Sequence, residues 1–235
     1  MTRKEPTKLT LIDTPLGHTD WNMDDNNLLL VSSENEQEAT GLLTRMAQQV
    51  RKMGGRAVCA DTEHDWPTPG QGVDSVKPRQ YELLRAYCEL AHAIARVRAG
   101  QASAAWPPFV IFINHFDLMM MRVNEQPTPY KTAGILYDVQ QQLAAIMSHT
   151  GVGVGVVLCA RKFDTDVQAV PKWAFPEWLD SADRVHVDKQ GHIQIEQGDV
   201  DLSLTIQDEG AAYDLLMEAL MDALQRVKHT GTEEE

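Results

Sequence analysis

The sequence of 235 residues is short of basic residues, of cysteine and of long apolar runs. It has 21 Lys and Arg against 34 Asp and Glu, which gives a formal net charge of -13. A protein that follows a phosphate backbone needs Lys or Arg to displace counterions, so this charge argues against nucleic acid as a partner. The three cysteines, Cys59, Cys88 and Cys159, are far apart, which excludes a disulfide framework and a CxxC metal site and indicates a reducing compartment.

The apolar runs are far too short to span a bilayer, and the polar N-terminus has no signal-peptide stretch. With 43% hydrophobic and 23% charged residues, the composition is that of a globular protein. We therefore expect a soluble cytoplasmic chain that reaches a membrane only if something else holds it there.

Short apolar runs alternate with longer amphipathic stretches, which is typical of a mainly parallel sheet covered by helices. Strands are predicted at 8–13 (an edge strand), 27–32, 56–60, 109–113, 151–160, 184–187, 192–196 and 202–206. Helices are predicted from residue 33 to the glycines at 54–55, and at 78–98, 130–149 and 211–227. The last three strands lie close together between turn residues, which predicts an antiparallel C-terminal edge. No linker divides the chain, so we expect one domain with a core at about 9–228 and an acidic tail at 229–235.

The connection from the strand at 27–32 to the next helix is where a nucleotide-binding protein keeps its phosphate loop. On the pattern GxxxxGK[ST], Ser33 and Glu38 take the places of the two glycines. Ala39 takes the place of the lysine, and Thr40 alone fits the pattern.

Three acids, Glu34, Glu36 and Glu38, lie in this same connection. They would repel a triphosphate, whereas acids in a first helical turn are favoured by the helix dipole. The favoured interpretation is an ordinary helix start with Ser33 as its N-cap, and a working phosphate cradle is the alternative.

The strand at 109–113 is followed by a second polar group. P-loop enzymes place an acidic pair at this point to hold magnesium and to orient the attacking water. Here Asn114 is a poor magnesium ligand, His115 could act as a base but has no evident metal, and Asp117 is the only nearby carboxylate. A structural role for these side chains is favoured.

Four tracts carry a family resemblance: LIDTP at 11–15, WNM at 21–23, FVIFINHFDLMMM at 109–121 and VVLCARKFD at 156–164. In order and spacing they resemble the FtsK/SpoIIIE class of P-loop motor domains, and specifically the type VII secretion ATPases of the EssC/EccC kind. The resemblance covers about residues 9 to 206. It implies a RecA-like three-layer α/β sandwich with a mainly parallel central sheet.

The resemblance also implies a function. With Ala39 at the lysine position and Asn114 and His115 at the acidic pair, the chain is similar to the degenerate members of the family, which implies no cofactor and a structural, regulatory or substrate-recognition role. The alternative is a divergent but active motor domain that binds ATP and magnesium and drives translocation of protein or, less favoured, DNA.

The implied partners are neighbouring ATPase domains of the same polypeptide and a secreted helical-hairpin substrate. The implied location is the inner face of the cell membrane, with this chain an excised C-terminal module of a larger membrane-anchored protein.

Further residues have two interpretations each. A partner-binding surface of methionine and aromatic side chains is predicted from six residues, with core packing as the alternative: Met119, Met120, Met121, Trp173, Phe175 and Trp178. A metal site is the less favoured interpretation of four residues, which a hydrated loop explains as well: Asp61, Glu63, His64 and Asp65. Small residues for close helix–sheet packing are favoured over a dinucleotide fingerprint for three more: Gly151, Gly153 and Gly155.

Overall fold

The structure, a computed structural model, describes residues 7–14, 17–66, 72–101, 106–124, 130–161, 163 and 177–196. The strand predicted at 202–206, the helix at 211–227 and the acidic tail lie outside the described residues.

Nine strands and four α-helices are found in the described ranges. The strands are β1 (Lys8–Thr14), β2 (Gly17–Asn22), β3 (Leu28–Ser33), β4 (Arg56–Asp61), β5 (Asp74–Val76), β6 (Phe109–Asn114), β7 (Val154–Ala160), β8 (Asp183–Val187) and β9 (Ile193–Glu196). The helices are α1 (Glu36–Lys52), α2 (Tyr81–Ala99), α3 (Phe116–Asn124) and α4 (Tyr130–Met147), and Glu177–Ser181 forms a 3₁₀ turn.

Seven strands form one sheet in the order β5-β4-β6-β7-β3-β8-β9. Every pair of neighbouring strands in this sheet is parallel except the pair β8–β9, which is antiparallel. The prediction of a mainly parallel sheet with an antiparallel C-terminal edge is therefore confirmed. Strand β8 itself runs parallel to β3, so in the described residues the antiparallel pairing of this sheet is that of β8 with β9. The segment at 8–13 is not an edge strand of this sheet, since β1 pairs with β2 in a separate antiparallel hairpin.

Side chains of the central strands alternate between two apolar cores, which is why these strands read as continuous apolar runs. Leu28 and Leu30 of β3 point into a core shared with α2, α3 and α4. Leu29 and Val31 point into a second core, which α1 and the β1–β2 hairpin cover on the opposite face. The three-layer sandwich predicted from the sequence is therefore confirmed.

Helix α2 buries one narrow stripe of its surface and leaves a large apolar side chain exposed beside it. Its buried residues are Tyr81, Leu84, Cys88, Ala91 and Ala95, whereas Leu90 is 39% exposed. One residue is about 100° of helical rotation, so Leu90 lies well away from the stripe that contains Ala91. Among the helices in the described ranges, none combines the length and the apolarity that crossing a bilayer needs.

Two glycines before β7 turn the chain, and a third, within β7, lies close to side chains at the end of the hairpin. Gly151 and Gly153 have φ of 71° and 67°, a left-handed conformation that turns the chain, so the strand begins only at Val154. A Cβ on Gly155 would lie 2.7 Å from Met23 Cε and 3.0 Å from Trp21 Cη2. Glycine at this position therefore lets the side chains of Trp21 and Met23 lie close to β7. The sequence predicted close packing of a helix instead.

Candidate functional site

The carboxyl ends of the parallel strands meet at one edge of the sheet, where open α/β sheets bind their ligands. The end of β3, the end of β4 and the end of β6 all lie there, so this edge brings together three polar groups that are distant in sequence. A cavity of about 350 Å³ opens at the edge. Its lining consists of Ser33, Glu34, Glu36, Ala39, Asn114, His115, Cys159, Ala160 and Arg161.

The connection between β3 and α1 is very short, since only Glu34 and Asn35 lie between Ser33 and Glu36. Ser33 Oγ accepts a hydrogen bond from the Asn35 backbone N–H at 3.0 Å and donates one to the Asn35 carbonyl oxygen at 2.7 Å. The Glu34 N–H donates to the Val187 carbonyl at 2.8 Å. The backbone of the connection is thus engaged by hydrogen bonds within the protein.

The N-cap of α1 is Asn35, so the prediction of Ser33 at this position is wrong. Asn35 has an extended backbone with φ of -129° and ψ of 95°, and its side chain accepts from the Glu38 N–H at 3.2 Å. Ser33 is still within β3. An Asn three residues before a Glu is a recognised helix-start pattern, and this signal at Asn35 and Glu38 could have given the right N-cap.

The other four residues predicted for the phosphate connection do not converge on one point, since each has a different neighbour. Glu34 Oε2 lies 3.9 Å from Lys189 Nζ, and Glu38 is exposed beside Gly191. Ala39 is 1% exposed. Thr40 Oγ1 accepts a hydrogen bond from Asn114 Nδ2 at 3.4 Å, so Thr40 is the member of this set that contacts the predicted polar group after β6.

Asp61 is the centre of a buried polar cluster, because β4 and β6 pair with Asp61 opposite Asn114. Its Oδ2 accepts from Asn114 Nδ2 at 2.9 Å, and its Oδ1 lies 3.0 Å from His115 Nδ1. The backbone N–H groups of Glu63 and His64 also donate to Oδ1, at 2.8 and 2.9 Å. Since a carboxylate only accepts, His115 carries a hydrogen on Nδ1 in this pair.

Charge and burial compete at this cluster. Burial opposes ionisation of Asp61, but the hydrogen bonds from His115, from the two backbone N–H groups and from Asn114 outweigh it and lower the pKa of Asp61 to about 2. The hydrogen bond to Asp61 raises the pKa of His115, against the effect of burial and with help from Glu36 and Asp117. The Asp61 carboxylate is therefore ionised at neutral pH and holds the imidazole in place.

His115 faces α1 with its second ring nitrogen. Its backbone has φ of 54°, the left-handed conformation that is costly for a residue with a Cβ. His115 Nε2 lies 3.2 Å from Glu36 Oε1, and His64 Nε2 lies 3.8 Å from the same oxygen. The two imidazole rings are edge to face with centroids 5.3 Å apart. Glu36, His64 and His115 therefore converge, although the sequence separates them widely.

The structure corrects the hydrated-loop interpretation of the residues after β4. Asp61 is 4% exposed and Thr62 is 2% exposed, and the Thr62 hydroxyl donates to the His115 carbonyl at 2.9 Å. Glu63 is half-buried and forms an ion pair with Arg122. Only His64 and Asp65 are exposed, as a hydrated loop requires.

Asp117 acts on the Asp61 cluster through its charge, which helps to raise the pKa of His115, and pairs with Arg161. It lies in the first turn of α3, and its Oδ2 is 3.5 Å from Arg161 Nε. Asn114 and His115 lie at the end of β6, as the sequence predicted, but their contacts with Asp61 and Glu36 and the approach of His64 were not predicted. That connection depends on β4 and β6 being neighbours.

The predicted methionine surface is wrong for its first two members. Met119 and Met120 are 0% and 1% exposed and pack, with Phe116, in the core beneath α4, because the spacing i, i+3, i+4 places all three on the inner face of α3. Met121 is half-buried, and Trp178 is half-buried against the same core. Trp173 and Phe175 lie outside the described residues.

No protein-family model matches the sequence, and no curated protein matches it. The structure is similar to that of the pCW3 conjugation coupling protein TcpA, solved in its monomer form with ATPγS, with a TM-score of 0.53 and 10% identity over 79% of this chain and 55% of TcpA. It is also similar to the cytoplasmic domain of EssC, with a TM-score of 0.50 and 13% identity over 83% of this chain and 38% of that one.

A third similar structure is the cytoplasmic domain of the type VII secretion ATPase EccC from Thermomonospora curvata, with a TM-score of 0.50 and 8% identity. That match covers 83% of this chain and 23% of EccC. The chain thus spans between about a quarter and about half of the length of these proteins. The chain has the fold of these P-loop ATPase domains, and the resemblance predicted from the sequence is confirmed at the level of the fold.

Proposed function

We propose that this chain is a degenerate P-loop ATPase module of the type VII secretion kind, which serves assembly, regulation or substrate recognition and does not hydrolyse ATP. The module is one domain with its core at about 9–228. The fold that it shares with the cytoplasmic domains of EssC and EccC supports this assignment.

The observation that carries the proposal is the short, closed connection between β3 and α1. A phosphate loop needs free backbone N–H groups, glycines that let them approach the phosphates, and a lysine for the outer phosphates. Here two residues make the connection, and the side chains of Ser33 and Asn35 bond the N–H groups of Asn35 and Glu38. At the place of the lysine stands Ala39, which is buried. The residues present do not fit ATP and magnesium.

The charges at the cavity support the same conclusion. Glu34 and Glu36 line it. A triphosphate in the cavity would lie close to both carboxylates, and the repulsion between like charges would amount to kilocalories per mole. Among the described lining residues, the one Lys or Arg is Arg161, whose Nε lies 3.5 Å from Asp117 Oδ2. A nucleotide would therefore meet two unfavourable carboxylates at the place where an active domain offers cations.

The partners of the module follow from the same proposal. Since the chain spans 38% of EssC and 23% of EccC, we place it beside neighbouring ATPase domains of one longer polypeptide, held at the inner face of the cell membrane. A secreted helical-hairpin protein is the substrate class that this role implies. The net charge of -13 argues against nucleic acid.

A nucleotide titration tests the proposal. We expect the purified chain to show no saturable binding of labelled ATP with magnesium up to millimolar concentration, and no phosphate release above that of the buffer. An active P-loop ATPase in the same assay serves as the positive control. Micromolar binding with turnover would instead support the divergent but active motor domain and overturn the proposal.

A charge-neutralised variant separates the two reasons for the expected lack of binding. Glu34 and Glu36 are changed together to Gln, which removes the repulsion and leaves the short connection in place. Both side chains are exposed, so we expect the variant to unfold at the same urea concentration as the wild type. If the short connection is the main obstacle, the variant also fails to bind ATP. Recovery of tight binding would show that charge alone excludes the nucleotide.

A further inference from the structure

We propose that Glu36, His64 and His115 form a binding site for a divalent transition-metal ion of the zinc class. Two imidazoles and one carboxylate are a ligand set that zinc takes in proteins, with a fourth position left for water or substrate. The site lies at the carboxyl edge of the sheet, on the side of the cavity formed by α1 and the β4 loop.

The spacing of the three ligand atoms fits one ion. Two atoms that each lie about 2.1 Å from a tetrahedral zinc ion are about 3.4 Å from each other. His115 Nε2 and Glu36 Oε1 are 3.2 Å apart, and His64 Nε2 and Glu36 Oε1 are 3.8 Å apart. All three ligand atoms lie within 4.8 Å of one another. Binding one ion requires the exposed His64 and Glu36 side chains to rotate so that their 3.8 Å spacing shortens.

Asp61 is the positioning residue of this site. Metal-binding histidines commonly donate their other ring N–H to a carboxylate, which fixes the tautomer and the direction of the ring. Asp61 Oδ1 accepts from His115 Nδ1 at 3.0 Å, so the lone pair of His115 lies on Nε2, which faces Glu36. Asp61 is itself held by Asn114 and by two backbone N–H groups. The buried half of the site is thus arranged before any ion arrives.

The other half of the site is open. The side chains of Glu36 and His64 are 61% and 66% exposed, whereas that of His115 is 9% exposed. Glu36 also borders two cavities, one of about 350 Å³ that His115 lines and one of about 710 Å³ that His64 lines. An ion between the three ligands is therefore reachable from solvent, and its fourth position can face a cavity.

A competing explanation needs no metal. A protonated His115 would form ion pairs with Asp61 on one side and Glu36 on the other. In that case the proton on His115 Nε2 lies where the metal ion would bind, and His64 has no ion to bind. The two explanations differ in whether His64 and Glu36 contribute to metal affinity, which is measurable. The metal proposal does not rest on the proposed function, since its test uses no nucleotide.

The experiment uses the full chain without a histidine tag, stripped with a chelator and titrated with Zn²⁺ against a chromophoric competitor at neutral pH. We expect one equivalent to bind, and we expect Co²⁺ at the same site to give the visible absorption of a four-coordinate ion. Absence of competitive binding of one equivalent would overturn the proposal. So would a Co²⁺ spectrum of the hydrated ion.

Single variants assign the ligands. Glu36→Gln and His64→Gln each remove an exposed side chain, so the chain keeps its fold, and each should weaken Zn²⁺ binding by more than about tenfold. Asp61→Asn should weaken it by about 10–100-fold through the orientation of His115. His18→Gln, an exposed histidine beside Asp20 on the hairpin, is the matched control and should bind as the wild type does. Unchanged affinity in Glu36→Gln and His64→Gln would show that the ion binds elsewhere and overturn the proposal.

Discussion

Two polar regions lie side by side at the carboxyl edge of the sheet, and they are held together in different ways. The β3–α1 connection has local bonds from Ser33 and Asn35 that span two or three residues, and further bonds from Glu34 N–H and the exposed Asn35 Nδ2 to the carbonyls of Val187 and Lys189. The Asp61 cluster joins segments more than 50 residues apart, through Asn114 and His115. The helix cap of the connection forms with α1 itself, whereas the Asp61 cluster exists only when β4 and β6 pair.

The difference has an energetic meaning. Removing a cap from a solvated helix start lets water replace the lost bond, which limits the cost. Removing Asp61 takes away a buried acceptor from His115 Nδ1 and Asn114 Nδ2 and a half-buried one from two backbone N–H groups, and each buried bond that stays unmade costs its desolvation. We therefore expect the Asp61 cluster to stabilise the fold much more than the connection does.

The largest effect is expected for Asp61→Ala. Breaking a buried charged pair by removing one partner costs about 3–5 kcal/mol, so the free energy of unfolding in chelator-treated buffer should fall by about that amount. Urea unfolding followed by circular dichroism measures it. Asp65→Ala, an exposed acid in the same loop, is the control and should change stability by less than about 0.5 kcal/mol. Equal effects of the two variants would contradict a buried cluster.

A smaller effect is expected for Asn35→Ala, which removes the N-cap of α1. The expected loss is about 1 kcal/mol, because the Glu38 N–H and the exposed Lys189 carbonyl, which both lose their bond to Asn35, turn to water instead of staying unbonded. The same urea experiment measures it, and Gln37→Ala, an exposed first-turn position, is the matched control. A loss as large as that for Asp61→Ala would mean that the connection is not held locally.

The smallest effect concerns the thiols. Burial raises the pKa of Cys59, Cys88 and Cys159, and nearby carboxylates add to the effect at Cys159. We expect all three to react slowly with iodoacetamide in the folded chain and rapidly in denaturant, as followed by mass spectrometry. Cys159 borders the cavity beside the β3–α1 connection. Fast labelling of Cys159 alone would show that the cavity opens further than the structure indicates.

Strands with a continuous apolar run were predictable from the sequence. The run at 109–113 gave β6 almost to its ends, and the strand at 56–60 gave β4, because both are buried on two faces. Hairpin β1–β2 was not predicted as a separate sheet, since pairing of β1 with β2 and not with the main sheet depends on the tertiary contacts of Leu9 and Trp21. The burial of Met119 and Met120 was likewise set by the position of α4.

The sequence by itself determined the layer architecture, the position of the β3–α1 connection and the acids in the first turn of α1. Apolar patterns and helix-start patterns depend on a few neighbouring residues, which is why they can be recognised in the sequence. It also placed Asn114 and His115 at the end of a strand. Only the tertiary structure decided that β4 lies beside β6, and with that the buried state of Asp61 and the approach of His64 and Glu36 to His115. Strand order is fixed by packing across the whole sheet, which no local pattern in the chain contains.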